Sequence, residues 1–340
     1  MLAADFLGKG KIELREIPIP NPGKGQVLVK VAACALCGSD RDHYNYGSKI
    51  VPGHETAGTI VKTGADTSLK SGTHGSVYLL SWCGKCSSCK KGRYGRCHDN
   101  KADYGYRSPG GFEEYMVVDE QSFLPVPKNV SVEEAVMLLD VIGTTGHALR
   151  RGKIKSVRTV AVLGSGPIGL GTIFMAQQLA TLDKIVATDI VPYRLKLAEN
   201  LGAKVYNASE NSWFTKLIED EPEGFDLVLE TTAKPDIQSR SIRLCNDGGR
   251  VVLIGIPSSK ILGKMEIVDT KDFIQSEKIV TGSEYFLPEE FEENLFLLKK
   301  ANLDIKKIIT HRYPLNKIEL AYQKFWGGNS GKVLIGPCSW

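Results

Sequence analysis

The chain has 340 residues, 42% of them hydrophobic and 24% charged, with a net charge of +4 at pH 7. That length suits two domains with separate cores, and the composition excludes a disordered or fibrous chain. The weak positive charge is spread along the sequence, which argues against a dedicated nucleic-acid surface. No apolar run approaches the ~20 residues that span a bilayer. Asp5 stands where a secretory signal would continue its apolar core. The expectation is a cytoplasmic, reduced protein with no nucleic-acid or membrane partner. Its eight cysteines then serve as ligands or core residues rather than bridges.

Residues 11–120 are rich in short β-type runs broken by Gly and Pro, at 26–32, 57–62, 75–79 and 114–118. Within this region Cys83-Gly-Lys-Cys86-Ser-Ser-Cys89 and Cys97 give four thiols at a spacing that closes a tetrahedral shell around one Zn²⁺. A closed sulfur shell holds a loop in shape and has no open position for chemistry. The competing readings are disulfide-bridged hairpins or free thiols. Near 131–150 a helical period appears, and Ser131 with Glu134 three residues on forms a capping box.

The rhythm then changes. Short apolar strands at 159–163, 184–188, 204–206, 227–230, 250–254 and 278–282 alternate with helical stretches such as 168–180 and 194–201. That alternation predicts a parallel sheet with helices on both faces. Its first strand runs into Gly164-Ser-Gly166-Pro167-Ile168-Gly169. The three glycines allow the tight turn, the close approach of a pyrophosphate and helix-on-strand packing. The helix N-terminus offers free N–H groups to the phosphates. Asp189, twenty residues after Gly169, is placed to accept from ribose hydroxyls and to repel a 2′-phosphate, which favours NAD. Residues 287–340 return to mixed helix and strand.

Three further segments hold weak single candidates for metal ligands: Cys37-Gly-Ser39-Asp40, Pro52-Gly-His54-Glu55 and Leu139-Asp140-Val-Ile-Gly-Thr144. Taken with the four-cysteine lobe, the nucleotide turn, Gly110-Gly-Phe-Glu-Glu-Tyr115, Arg194-Leu-Lys-Leu-Ala-Glu-Asn-Leu-Gly202 and Gly331-Lys-Val-Leu-Ile, they resemble the zinc-containing medium-chain dehydrogenase/reductase family. That family comprises the alcohol, polyol and threonine dehydrogenases, and the resemblance covers essentially the whole chain.

The resemblance implies an α/β fold: a GroES-like β-rich catalytic domain plus a Rossmann doubly wound parallel sheet. The catalytic domain would comprise residues 1–141 and 287–340, with the structural-zinc lobe at 82–98, and the Rossmann domain residues 142–286. Two Zn²⁺ per chain and NAD would be the cofactors. Cys37, His54 and Asp140 would ligate the catalytic zinc, with Glu55 a nearby or transient ligand and Asp40 orienting His54. Gly164, Gly166, Pro167, Ile168, Gly169, Asp189, Arg194 and Thr144 would hold the dinucleotide, and Lys332 would approach it. A homodimer or homotetramer is implied, pairing through the strand near 278–285.

A thiolate, a carboxylate and an imidazole cancel the charge of Zn²⁺ and leave an open Lewis-acid position that makes an alcohol acidic and ready to give a hydride to NAD⁺. In the family Ser39 would be the first proton carrier. A histidine usually stands where this chain has Asp42, so Asp42 or His43 is expected to substitute. Tyr44, Tyr46, Lys49, Trp82, Arg107 and Glu284 would border a polar pocket. They suit a polyol, cyclitol, aminocyclitol, aminosugar or amino alcohol, with Glu284 pairing an amine or standing in solvent. The rival readings are an NADH-dependent ketone or aldehyde reductase, a non-catalytic NAD- or zinc-binding sensor, and a zinc ribbon for nucleic acid.

Overall fold

The computed structural model describes residues 1–259, 270–301 and 304–338. Two sheets organise it. The first has seven strands. Gln26–Ala35 lies at its centre, antiparallel to Glu55–Thr63, to Tyr115–Asp119 and to Lys332–Gly336. His74–Val77 and Phe123–Pro125 extend one side, and Ile309–Pro314 pairs in parallel with Lys332–Gly336 on the other. The last strand of the chain is thus hydrogen-bonded to the strand that ends two residues before Cys37.

The second sheet is wholly parallel. Its order is Lys204–Asn207, Lys184–Asp189, Thr159–Leu163, Phe225–Glu230, Cys245–Leu253, Ile279–Gly282. The sequence order reverses beside Thr159–Leu163, and ligands of doubly wound sheets bind at the carboxyl ends of strands at such a reversal. The near-continuous apolar run Val160–Leu163 is fully buried, as a strand covered on both faces requires. Among the described residues no helix is long and apolar enough to cross a membrane.

The helical period over 131–150 is not one helix. Ser131 caps Val132–Met137, accepting from the Glu134 N–H while the Glu134 carboxylate returns to the Ser131 N–H. At Leu139 the backbone leaves helical geometry (φ −77°, ψ −102°), and Asp140–Thr144 forms a π-turn in which the Thr144 N–H reaches back to Leu139 O. Helix resumes over Thr145–Arg151. Period counting misses the break because apolar residues continue through it. The wide turn aims Asp140 inward, a common use of π geometry at functional sites.

Candidate metal and dinucleotide site

Cys37 leaves the central strand and opens the short turn Gly38–Asp40. His54 enters from the neighbouring strand. Gly53 before it has φ +103°, and a Cβ there would meet Cys34 Sγ at 2.8 Å and Phe112 N at 2.9 Å, so only glycine lets the chain turn here. Asp140 comes from the π-turn. Cys37 Sγ and His54 Nε2 each lie 3.5 Å from Asp140 Oδ2. Ligand atoms of Cys37, His54, Glu55 and Asp140 lie within 4.8 Å of one another, and all four residues are buried. Burial pushes the Cys37 thiol up, and the nearby Asp140 charge adds to this. Two carboxylates, a thiol and an imidazole out of water need a cation, and this mixed sulfur, nitrogen and oxygen set fits zinc.

The surroundings fix the imidazole. His54 Nδ1 faces Asp40 Oδ1 at 3.2 Å, leaving Nε2 for the metal. Asp40 Oδ2 accepts from the Cys37 N–H at 3.0 Å and the Tyr322 hydroxyl at 2.8 Å. Burial opposes the Asp40 charge, but His54 and these donors outweigh it and hold the carboxyl low. Burial likewise opposes a charged His54, and Tyr106, Asp40 and Asp140 outweigh it, so its basicity is well raised. Thr144 Oγ1 donates to Asp140 Oδ1 at 3.2 Å, anchoring the third ligand.

Glu55 Oε1 is paired with Lys332 Nζ, and neither side chain is exposed at all. Its other oxygen, Oε2, has no partner among the described residues, which keeps Glu55 available to a cation. Lys332 is thereby held against the metal-ligand cluster through Glu55. The Glu55, Cys37 and Asp140 charges outweigh burial and keep it a cation.

Ser39 Oγ lies 3.2 Å from Cys37 Sγ, 3.5 Å from His54 Nε2 and 2.7 Å from the Tyr106 hydroxyl. The Tyr106 ring also packs at a tilt on His54 (centroids 4.8 Å apart) and on His43 (6.0 Å). His43 is thus brought to the Ser39 side. Asp42 is not: its carboxylate accepts from Ser258 Oγ at 2.6 Å, Ser259 N at 2.9 Å and Ser259 Oγ, all beyond the Cys245–Leu253 strand.

The four lobe cysteines converge, their sulfurs within 4.8 Å of one another, and all eight cysteines are free. Backbone N–H groups point at the sulfurs, as in Cys86 N to Cys83 Sγ at 3.4 Å and Cys83 N to Cys97 Sγ at 3.3 Å. Such donors from His98 and Cys89 bring the Cys86 thiol down to about 6, the direction that favours a thiolate ligand.

In the glycine-rich turn Gly164 has φ +97°, and a Cβ on Gly169 would sit 1.8 Å from Gly164 O. Gly166 and Pro167 begin the helix Pro167–Leu179, with Ile168 in its first turn. Asp189 accepts from Ser165 N at 2.7 Å and Val191 N at 2.9 Å, placing its carboxylate beside the turn. Arg194 donates to Ser330 O at 3.2 Å, close to Gly166.

The expected pocket border is only partly assembled. On the lobe side the Trp82 ring packs at a tilt on Tyr94 (centroids 4.8 Å), and Glu284 is exposed beside Gly95. Arg107 pairs with Asp103 in solvent, and Tyr44 stacks on Tyr322 and Trp326. Tyr46 is exposed. Sequence reading missed Tyr106, Tyr322 and Tyr285. Their hydrogen-bond partners lie 52 residues or more away, the other contacts are ring faces, and no local pattern marks them.

A buried sulfur–imidazole–carboxylate centre next to a dinucleotide turn defines a metal-dependent nucleotide oxidoreductase. Residues 23–128 match the alcohol dehydrogenase GroES-like domain, and residues 167–300 match the zinc-binding dehydrogenase family. L-threonine 3-dehydrogenase of Coxiella burnetii is 30% identical over 336 residues, 95% of each chain. An alcohol dehydrogenase of Thermus sp. ATN1 superposes with a TM-score of 0.89 at 27% identity over 99% of this chain and 100% of that one. Galactitol-1-phosphate dehydrogenase of Escherichia coli does so at 0.88 and 26% identity, again over 99% and 100%. The chain belongs to the zinc-containing medium-chain dehydrogenase family and is a zinc-dependent alcohol oxidoreductase.

Proposed function

We propose that this chain transfers a hydride from a secondary alcohol flanked by further polar groups, a polyol, cyclitol, aminocyclitol, aminosugar or amino alcohol, to NAD⁺. The convergence of Cys37, His54 and Asp140 within 4.8 Å carries the reading. Cys37, His54 and Asp140 would hold a zinc ion that would supply the Lewis acidity to make a bound alcohol acidic, with NAD⁺ as the hydride acceptor. Ser39, 2.7 Å from Tyr106 and next to two ligands, receives the alcohol's proton; His43 carries it outward. Thr144 keeps Asp140 turned to the centre and would pack against the nicotinamide of a bound cofactor. The buried Asp189 carboxylate disfavours a 2′-phosphate, so NAD is preferred to NADP.

Threonine and galactitol 1-phosphate, in the names of two relatives, both hold a secondary carbinol beside another polar group. Residues 1–141 with 287–340 and residues 142–286 form the two domains of this reading. The edge strand Ile279–Gly282 supports a homodimer or homotetramer, and a cytoplasmic location accords with eight free cysteines. The test is a panel of secondary alcohols, polyols, cyclitols and amino alcohols with NAD⁺ and NADP⁺, followed by dinucleotide absorbance. Oxidation with NAD⁺ that vanishes in Cys37→Ala/His54→Ala is expected. Turnover retained in that double variant overturns the assignment.

A further inference from the structure

Tyr285 lies three residues beyond the strand Ile279–Gly282 and is held on two sides. Its ring packs on Tyr78 (centroids 5.0 Å) and on Phe286 (4.6 Å). Phe286 in turn is fixed: its carbonyl accepts from the Tyr78 hydroxyl at 2.6 Å, and its ring presses on Gly143, where a Cβ would come within 2.4 Å. Gly143 belongs to the π-turn that carries Asp140. The phenol is therefore locked against the segment bearing the third metal ligand. Yet its hydroxyl is buried and has no hydrogen-bond partner among the described residues. An unmade bond of this kind costs about 1–3 kcal/mol, which an acceptor placed against the hydroxyl would recover. Burial first, then the Asp140 charge, holds the hydroxyl protonated, so it is a donor in search of an acceptor.

The other flank of the centre is already furnished. Ser39 and Tyr106, 2.7 Å apart, lie against Cys37 and His54. A substrate oxygen that reacts at the metal finds its proton acceptor there, and what remains for Tyr285 is the next group along the molecule. An ammonium has no lone pair to offer the phenolic O–H; a hydroxyl oxygen has.

We propose that Tyr285 is a specificity-determining residue whose hydroxyl donates to the oxygen on the carbon adjacent to the reacting carbinol, making vicinal diols, as in polyols and cyclitols, the substrate class of this site. This rests on the alcohol-oxidising reading above and narrows it. A site built around a buried donor rejects analogues that lack the acceptor far more strongly than one that is merely apolar.

The experiment compares zinc-loaded parent and Tyr285→Phe with butane-2,3-diol and butan-2-ol, and melts both metal-free proteins. The expected result is a roughly 10- to 100-fold fall in kcat/KM for the diol, with the mono-alcohol within about twofold of parent. The metal-free variant is expected to melt no lower than parent, because the deleted hydroxyl had no partner. Equal losses on both alcohols, no loss on either, or a lower melting temperature overturns the role of Tyr285 and leaves the dehydrogenase reading intact. A parent that oxidises neither alcohol, nor any other in the panel, overturns both.

Discussion

Lys332 and Glu55 form an ion pair in which neither side chain has any exposed surface, although 277 residues separate them. The lysine comes from the last strand of the first sheet and the glutamate from the strand that begins beside His54. Two opposite charges there offset each other and, through Asp140 and Cys37, the negative potential of the metal ligands. Removing one partner strands the other in a low-dielectric site.

Lys332→Met is therefore expected to lower stability by about 3–5 kcal/mol, and Lys332→Met with Glu55→Gln to recover much of it. Chemical unfolding of the three proteins measures this. Equal stability of the single and double variants would show that the pair is not coupled.

Asp40 acts on the metal through His54, by facing Nδ1 at 3.2 Å. Asp40→Asn keeps the volume but loses the charge that orients and enriches the ring. Zinc affinity at the catalytic centre is expected to fall roughly 10- to 100-fold, read by chelator competition. The lobe cysteines, in a separate cluster, should keep their metal in the same titration.

Cys97→Ser opens the four-sulfur cluster. One zinc per chain should be lost on metal analysis, and the lobe should become the preferred site of proteolysis. Tyr94, packed on Trp82 and bonded to Glu289, then loses its fixed position. Activity should fall less than in Cys37→Ala, since the lobe sulfurs form a cluster separate from Cys37, His54 and Asp140.

Glu113 gives a pH signature unrelated to metal. It is 4% exposed, and burial pushes its carboxyl from 4.5 up to about 8, with Arg15 pulling weakly the other way. Between those values the folded chain holds a proton that the unfolded chain has released. Stability must therefore fall as pH rises through this window, and the whole penalty is present above it. Glu113→Gln should be the more stable protein by about 5 kcal/mol near pH 9, with the gain shrinking as pH drops towards 5. Urea melts across this range measure the difference; a constant gap would assign it to packing instead.

Much of this was legible in the sequence. The alternation of strand and helix, the glycine turn and the two cysteine-bearing motifs all depend on local spacing, which a chain displays openly. The capping box of Ser131 and Glu134 was legible for the same reason. The π-turn at Asp140 was not, because an unbroken apolar run hides a change of helical pitch. Nor were the partners of Asp42, which accepts from Ser258 and Ser259, 216 and 217 residues on. Tyr285 was invisible for a further reason: what distinguishes it is a missing partner, and only packing reveals that.

The bonds at Asp42 have a mechanical consequence. One carboxylate on the short helix following Cys37 clasps two serines that follow the fifth strand of the dinucleotide-binding sheet. Parting the two sheets along this seam would break those bonds, so part of the cost of any such motion is set by residues outside the metal centre.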